Sequence, residues 1–114
     1  MKEIKAFVHK NRISAVIEAI KAANILPEGH SGASRNINVA TVQSLLKAVD
    51  AKEQRYSMDL AEPTIEEYKL EFLCEDGDVD RLVQVIATAG RTGQAEAGWV
   101  YVTNVESVIK IGGR

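Results

Sequence analysis

Two segments of this sequence carry apolar residues at helical spacing, and strand-like segments lie on both sides of each. The first segment of the chain alternates apolar and polar side chains, which is the period of a half-buried strand. Apolar residues three and four apart then indicate an amphipathic helix. The predicted order is strand 2–9, helix 13–23, strand 36–46, strand 65–75, helix 79–89 and strand 98–103.

The ends and faces of these elements can also be predicted. Asn11 and Asp78 are suitable N-caps for the two helices, and Gly90 ends the second one. His9 is expected to be an exposed residue at the end of the first strand. In strand 65–75 the alternation predicts inward Tyr68, Leu70, Phe72 and Cys74, and outward Glu67, Lys69 and Glu71.

Residues 47–64 permit two predictions. The segment is polar and charged and contains Pro63, which favours a long mobile loop. Leu46, Val49 and Leu60 fall where they would share one face of a helix, so a helix stays open as the alternative.

The order strand, helix, strand, strand, helix, strand is that of the ferredoxin-like βαββαβ fold. This α+β fold has an antiparallel sheet with two helices on one face, here in a single domain over residues 1–114. The second face of the sheet then needs a cover. Because Phe7, Leu73 and Trp99 or Tyr101 have no partner there, an oligomer is predicted.

The amino-acid composition argues against several kinds of partner and location. The net charge of −2 and the few aromatic residues argue against nucleic acid as a partner. The single Cys74 cannot form an internal disulfide and is predicted to be buried. No apolar run is long enough for a signal peptide or a membrane span, so a cytoplasmic protein is expected.

The segment 91–98 joins the second helix to the last strand and is a candidate phosphate site. Gly93 and Gly98 allow left-handed backbone conformations that bring N–H groups close to an anion. Arg91 adds a planar set of donors that suits phosphate. An ordinary helix–strand connection is the alternative.

Taken together, these segments resemble the PII signal-transduction family almost from end to end. The opening residues 1–6 with 15–20 match the family's first strand and helix, and Arg91-Thr92-Gly93 resembles the start of its B-loop. One insertion, about 26–34, is needed before the second strand. The resemblance implies a T-loop over about 47–64, a B-loop over about 91–98 and a C-terminal tail over 105–114.

The resemblance also implies a homotrimer whose inter-subunit clefts bind adenine nucleotides. Arg91, Thr92, Gly93 and Gly98 would face the phosphates, together with Lys110, Arg114 and Lys47 at the T-loop base. Glu71 would face the ribose, and Leu73 and Asn38 the adenine. In the loop before the second strand, Arg35 is a further candidate for approaching a small anion.

Several positions depart from the family pattern. Trp99 and Gly112 replace a lysine and an arginine that contact phosphate, which predicts that AMP or ADP is preferred to ATP. Ala48 and Glu67 replace the glutamine and lysine used with 2-oxoglutarate, so binding of that oxoacid is not expected. Leu60 replaces the tyrosine that is uridylylated in some members.

These departures favour a PII-like sensor without enzymatic activity or a cofactor, of the branch associated with bicarbonate uptake. Its T-loop would contact a membrane transporter or an enzyme. Three alternatives stay open: a nitrogen-related PII regulator, a weak nucleotide phosphatase using Glu71 or Glu96, and a small metal-tolerance trimer. Neither histidine lies near Cys74 in sequence, which disfavours the last.

Overall fold

The computed structural model describes residues 1–23, 37–45, 51–94 and 98–112. No helix within these ranges is long and apolar enough to cross a membrane. The elements are β1 (Lys2–His9), α1 (Ile13–Ala23), β2 (Asn38–Ser44), β3 (Arg55–Ser57), β4 (Glu62–Cys74), α2 (Val79–Ala89) and β5 (Gly98–Asn104). Short 3-10 turns cover Lys10–Arg12, Ala51–Glu53 and Asp76–Asp78.

The strand order confirms the ferredoxin-like prediction. The sheet runs β2-β4-β1-β5, with every neighbouring pair antiparallel, and β3 adds to the far end of β4. The central strand β1 pairs with β4 from Lys2 to His9, and with β5 from Lys2 to Val8. β1 and β4 are therefore the inner strands, and β2 and β5 form the two edges of the four-strand order.

One apolar core lies between the sheet and the two helices. The predicted alternation of β1 is confirmed, since Ile4, Ala6 and Val8 are all buried. Cross-strand partners share a face, so Phe72 and Leu70 of β4 join Ile4 and Ala6. The rest of the buried core consists of Cys74 and four helix residues: Val16, Ile20, Leu82 and Ile86.

Of the two predicted N-caps, Asn11 is wrong and Asp78 is confirmed in its position. Asn11 lies inside the 3-10 turn that precedes α1, and its backbone N–H donates to His9 Nδ1 at 3.1 Å. Asp78 does occupy the residue before α2, but its side chain makes no capping hydrogen bond. A helix that starts from a 3-10 turn already has partners for some of its first N–H groups, which removes the need for a side-chain cap.

The two helices are joined at one end by a side chain. Arg12 donates from Nε and Nη2 to the carbonyl oxygen of Ala89, at 3.0 and 2.8 Å. That carbonyl belongs to the last turn of α2, where helix carbonyls lack intrahelical partners and a cation is favourable. Arg12 thereby fixes the start of α1 against the end of α2.

The described part of the segment 47–64 is neither a long loop nor a helix. It contains a 3-10 turn and then a β-hairpin, in which Arg55–Ser57 pairs with residues 62–64. The Ser57 hydroxyl accepts the N–H of Leu60 in the turn, and Thr64 Oγ1 donates to the Arg55 carbonyl. The strand predicted at 65–75 consequently begins three residues earlier, at Glu62. Residues 46–50 lie outside the described part of the chain.

An aromatic cluster lies on the face of the sheet opposite the helices. Phe7 stacks on Tyr101 with ring centroids 6.1 Å apart, and its centroid is 6.3 Å from that of Trp99. Trp99 and Tyr101 remain 53% and 42% exposed in the single chain. These are side chains for which the sequence predicts a cover, and the described residues of one chain leave them about half exposed.

The backbone at Gly98 tolerates no side chain. Its φ is +130°, and a Cβ at this position would collide with the carbonyl oxygen of Phe7. Gly93 has φ +92° but open space around it. The two glycines therefore share a conformation that other residues avoid, while only Gly98 is also enclosed.

We expect Gly98→Ala to lower the free energy of unfolding by about 3 kcal/mol or more, because strain and collision add. Gly93→Ala, which has only the strain, is expected to cost about 1 kcal/mol. Urea denaturation of both variants measures the difference. Equal losses would mean that β5 moves away from β1 to make room.

Candidate functional site

The two glycines predicted to adopt left-handed conformations in the segment 91–98 do so. Gly93 and Gly98 both have positive φ. Across Gly93, Thr92 Oγ1 accepts the N–H of Gln94 at 3.3 Å, which orders the first part of the turn. Residues 95–97, including Glu96, lie outside the described part of the chain, so the prediction that this residue orients water has no structural test.

A cavity of about 430 Å³ opens beside this segment, at the β5 edge of the sheet. Arg91 and Gln94 form its polar part, and Gly98 and Trp99 border it. The remaining lining is apolar and comes from β1, α2 and β5: Phe7, Val8, Val83, Ile86, Ala87, Gly90 and Val100. A mostly apolar recess with a few polar groups at one end is typical of a ligand site.

The residues predicted to face the ribose and adenine lie elsewhere. Asn38 of β2 is the cross-strand partner of Glu71. The Glu71 carboxylate is held between Lys5 and Lys69, with both N–O distances 3.9 Å. Leu73 follows on the same face of β4 and pairs with Glu3 of β1. Asn38, Glu71 and Leu73 therefore belong to the β2 side of the sheet.

One chain does not bring the two groups together. Gly98 is on β5 and Asn38 is on β2, which are the opposite edges of the four-strand order. Three strand-to-strand steps of about 4.8 Å separate those edges, roughly 14 Å in total. The two groups of predicted site residues therefore lie on opposite sides of the sheet within one chain.

The other predicted contacts are not assembled in the described structure. Lys110 and Gly112 lie in the exposed tail beyond β5, where Ile109 and Ile111 are also fully or almost fully exposed. Four predicted residues lie outside the described ranges: Arg35, Lys47, Ala48 and Arg114.

Glu67 is buried, and the prediction that it faces outward into solvent is wrong. Its side chain is on the face of the sheet opposite the helices, but it is only 2% exposed. Ser44 forms a hydrogen bond with its carboxyl group. The second oxygen, Oε2, has no hydrogen-bond partner among the described residues. Oε2 is also 3.8 Å from the place where a Cβ would stand on Gly98, so it lies close to the end of the segment 91–98.

The environment of Glu67 favours its neutral form. Burial raises the pKa of the Glu67 carboxyl, and the Ser44 hydrogen bond and the nearby His9 offset part of this rise. A buried acceptor without a partner has an uncompensated desolvation cost. This position therefore places a carboxyl group with a raised pKa close to the backbone of Gly98.

The prediction of an exposed His9 is also wrong. His9 is 4% exposed, and its Nε2 is 2.8 Å from Glu53 Oε2. Because Nδ1 accepts the Asn11 N–H, Nε2 carries the proton in the neutral ring and donates to Glu53. Glu53 Oε1 also accepts from Asn11 Nδ2 at 3.3 Å. The segment that carries the hairpin is thus attached to the end of β1.

A second, smaller cavity of about 200 Å³ adjoins this attachment. Its lining combines the end of β1, the following turn and the start of the segment 91–98: His9, Asn11, Arg12, Arg91 and Thr92. The sequence indicates only Arg91 and Thr92 as site residues. The sequence does contain a signal for His9. It lies two residues after Phe7 on β1, so both side chains are on the same face of the sheet as Glu67. Arg12 has no comparable signal.

Among the described residues, no three His, Cys, Asp or Glu side chains come together as metal ligands would. Cys74 is fully buried in the core, as predicted. Burial raises the pKa of its thiol, and the carboxylates of Asp78, Asp76 and Glu75 raise it further.

Known proteins similar to this chain are regulators. A nitrogen regulatory protein P-II 1 from Methanothermobacter thermautotrophicus is 23% identical over 97% of this chain and 89% of its own length. The nitrogen regulatory protein P-II of Synechocystis sp. is 22% identical over 97% of this chain and 91% of its own. That of Azospirillum brasilense is 25% identical over 88% and 89%.

The chain matches no protein-family model. The similarity to the regulators nevertheless extends along both chains almost completely, and the sheet order and the position of the glycine-bounded segment agree with the resemblance seen in the sequence. The chain is therefore similar to the PII nitrogen regulatory proteins over almost its whole length, and its α+β fold is consistent with the PII fold.

Proposed function

We propose that this protein is a non-enzymatic sensor of adenine nucleotides, which bind in clefts between copies of the chain. The observation that carries the proposal is the separation of two polar groups onto opposite edges of one sheet. Arg91 and Gly98 lie at the β5 edge, and Glu71 with Asn38 at the β2 side. A closed ring of copies, such as a homotrimer, places one edge against the other at every interface.

The exposed aromatic residues support the same assembly. Trp99 and Tyr101 adjoin the β5 edge and are half exposed in the single chain. Burial of such side chains between copies would supply the apolar contact that holds the ring together. Trp99 also borders the 430 Å³ cavity, so ligand and neighbouring subunit would meet at the same edge.

The charges around the segment 91–98 favour a nucleotide with few phosphates. Among the described residues that line the two cavities, only Arg12 and Arg91 carry a permanent positive charge. Arg12 already uses two of its N–H groups on the Ala89 carbonyl. Each further phosphate needs charge-assisted contacts, so AMP and ADP should bind in preference to ATP.

The regulatory output is proposed to come from the segment 47–64, acting as a mobile T-loop. Its described part is attached to the sheet through Glu53 and through the pairing of β3 with β4. Such a segment can change partners when the neighbouring cleft is occupied, and differential contacts in the two states would set the coupling. A membrane transporter or an enzyme in the cytoplasm is the proposed recipient, in the context of bicarbonate metabolism.

A nitrogen-related regulator is the second candidate, because the similar proteins carry that description. Glu67 argues against 2-oxoglutarate as the ligand of that candidate. A buried carboxyl group at this position cannot form the ion pair that a lysine would form with an oxoacid carboxylate.

The nucleotide proposal predicts a selective loss in an Arg91→Ala variant. Its affinity for ADP should fall at least ten-fold, because a charge-assisted contact to phosphate is removed. Its melting temperature should change little, since the Arg91 side chain is exposed. Calorimetric titration with AMP, ADP and ATP measures the affinities. Arg81→Ala, which removes an exposed arginine from α2, is the matched control. Equal loss of ADP binding in both variants would remove Arg91 from the site.

The carbon-related part predicts heat on titration with bicarbonate when ADP is present, and none with 2-oxoglutarate. The two titrations with and without ADP, at constant pH and ionic strength, are compared directly. Heat from 2-oxoglutarate alone would favour the nitrogen-related candidate.

ADP binding is also expected to depend on pH through Glu67. A phosphate beside Gly98 opposes the ionised carboxylate, so the wild-type affinity should rise as the pH falls and Glu67 becomes protonated. Glu67→Gln should bind ADP roughly three- to ten-fold more tightly than wild type at pH 8. Because the two proteins differ only at residue 67, the difference between their pH profiles isolates Glu67. Parallel pH profiles would place the phosphates away from Gly98.

A further inference from the structure

The 200 Å³ cavity at the end of β1 has the lining of an anion site. Every lining side chain offers a hydrogen-bond donor, and none is a carboxylate: His9, Asn11, Arg12, Arg91 and Thr92. Two of these are guanidinium groups with a permanent positive charge. Several donors and a net positive charge suit a small oxyanion, either a phosphate or a carboxylate.

The donors are held in place by the fold. The bonds from Arg12 to the Ala89 carbonyl fix its guanidinium next to the start of the segment 91–98. The His9 ring is oriented by the N–H of Asn11, which leaves its own Nε2–H as a donor. Among the described residues, the Arg91 side chain has no acidic partner. A group of donors that is held in advance loses little entropy when an anion binds.

A carboxylate of the chain already occupies part of this donor set. Glu53 places Oε2 at 2.8 Å from His9 Nε2, and Oε1 at 3.3 Å from Asn11 Nδ2. The two oxygens thus bind two donors, as a free oxyanion would. Glu53 is itself only 17% exposed in its side chain, and it sits in the 3-10 turn directly before the β3–β4 hairpin.

We propose that this cavity binds a small free oxyanion, and that Glu53 is a tethered competitor for the same donors. An anion between Arg12 and Arg91 would take over the N–H groups of His9 and Asn11. The Glu53 carboxylate would then leave, and the hairpin segment would lose its attachment to β1. In this way, binding of an anion in the cavity would release the segment 51–57 from the end of β1.

This inference does not need a nucleotide. Arg91 lines both cavities, so the oxyanion is either a free ion or the terminal phosphate of a nucleotide in the larger cavity. Free inorganic phosphate that competes with ADP would identify the second source. Phosphate that binds without affecting ADP would identify the first.

The test compares wild type, Glu53→Gln and Glu62→Gln by calorimetric titration with inorganic phosphate and, separately, with acetate. Glu62 is the matched control, because it is an exposed carboxylate of the same hairpin. Removal of the competing charge should tighten phosphate binding about ten-fold in Glu53→Gln, with no change in Glu62→Gln. Glu53→Ala should show the same gain, which separates the effect from any new contact of the glutamine amide.

Hydrogen exchange gives the second readout. Saturating phosphate should speed exchange of the amides of residues 51–57 in the wild-type protein, while α1 and β1 stay protected. Equal phosphate affinity in wild type and Glu53→Gln, or no binding of either anion to any variant, would overturn the proposal. If the wild-type protein binds phosphate but does not bind ADP, the proposed nucleotide function is wrong and this inference still stands.

Discussion

The pairing of β1 with both of its neighbours is the constraint on which the rest of the structure depends. Eight residues of β1 pair with β4 and seven with β5, so β1 cannot shift without breaking two ladders. One face of this strand supplies Ile4, Ala6 and Val8 to the core under the helices. The other face ends at His9, beside the carboxyl group of Glu67 and close to Gly98. A strand buried at the centre of a sheet thus holds both the core and the polar end of the molecule.

The polar end has a different energetic character from the core. Burial of His9 and Glu67 costs free energy that only hydrogen bonds can offset. His9 meets this requirement through Asn11 and Glu53, both of its nitrogens being used. Glu67 meets it for one oxygen only among the described residues. Groups of this kind respond to ligands, because a new partner changes a large local energy. The hairpin is attached at this same end through Glu53, so changes at the polar end reach the segment proposed to contact other proteins.

Much of the fold could be predicted from the sequence, and the reason lies in its periodicity. β1, α1 and α2 each turn one face towards the core, so the spacing of apolar residues in the sequence is enough to identify that face. Prediction failed where two faces of the sheet are both partly buried. Glu67 follows the polar alternation of β4, yet it is only 2% exposed, opposite His9 at the end of β1. The hairpin itself escaped prediction, because its three-residue strand is too short to show any period. Of the predicted residues, Arg91, Thr92 and Gly98 line the two cavities, while Arg12 and Glu53 emerge only from the folded chain.

The sequence by itself determined the order of elements, the inward face of the central strand and the need for glycine where the last strand begins. These features are local, since each follows from the spacing of side chains along a few turns or strand residues. Only the tertiary structure decided that Asn38 and Gly98 lie on opposite edges of the sheet, and that Glu53 binds a histidine 44 residues earlier in the chain. Such contacts depend on how strands are ordered and how a hairpin folds back, and no short-range pattern records either.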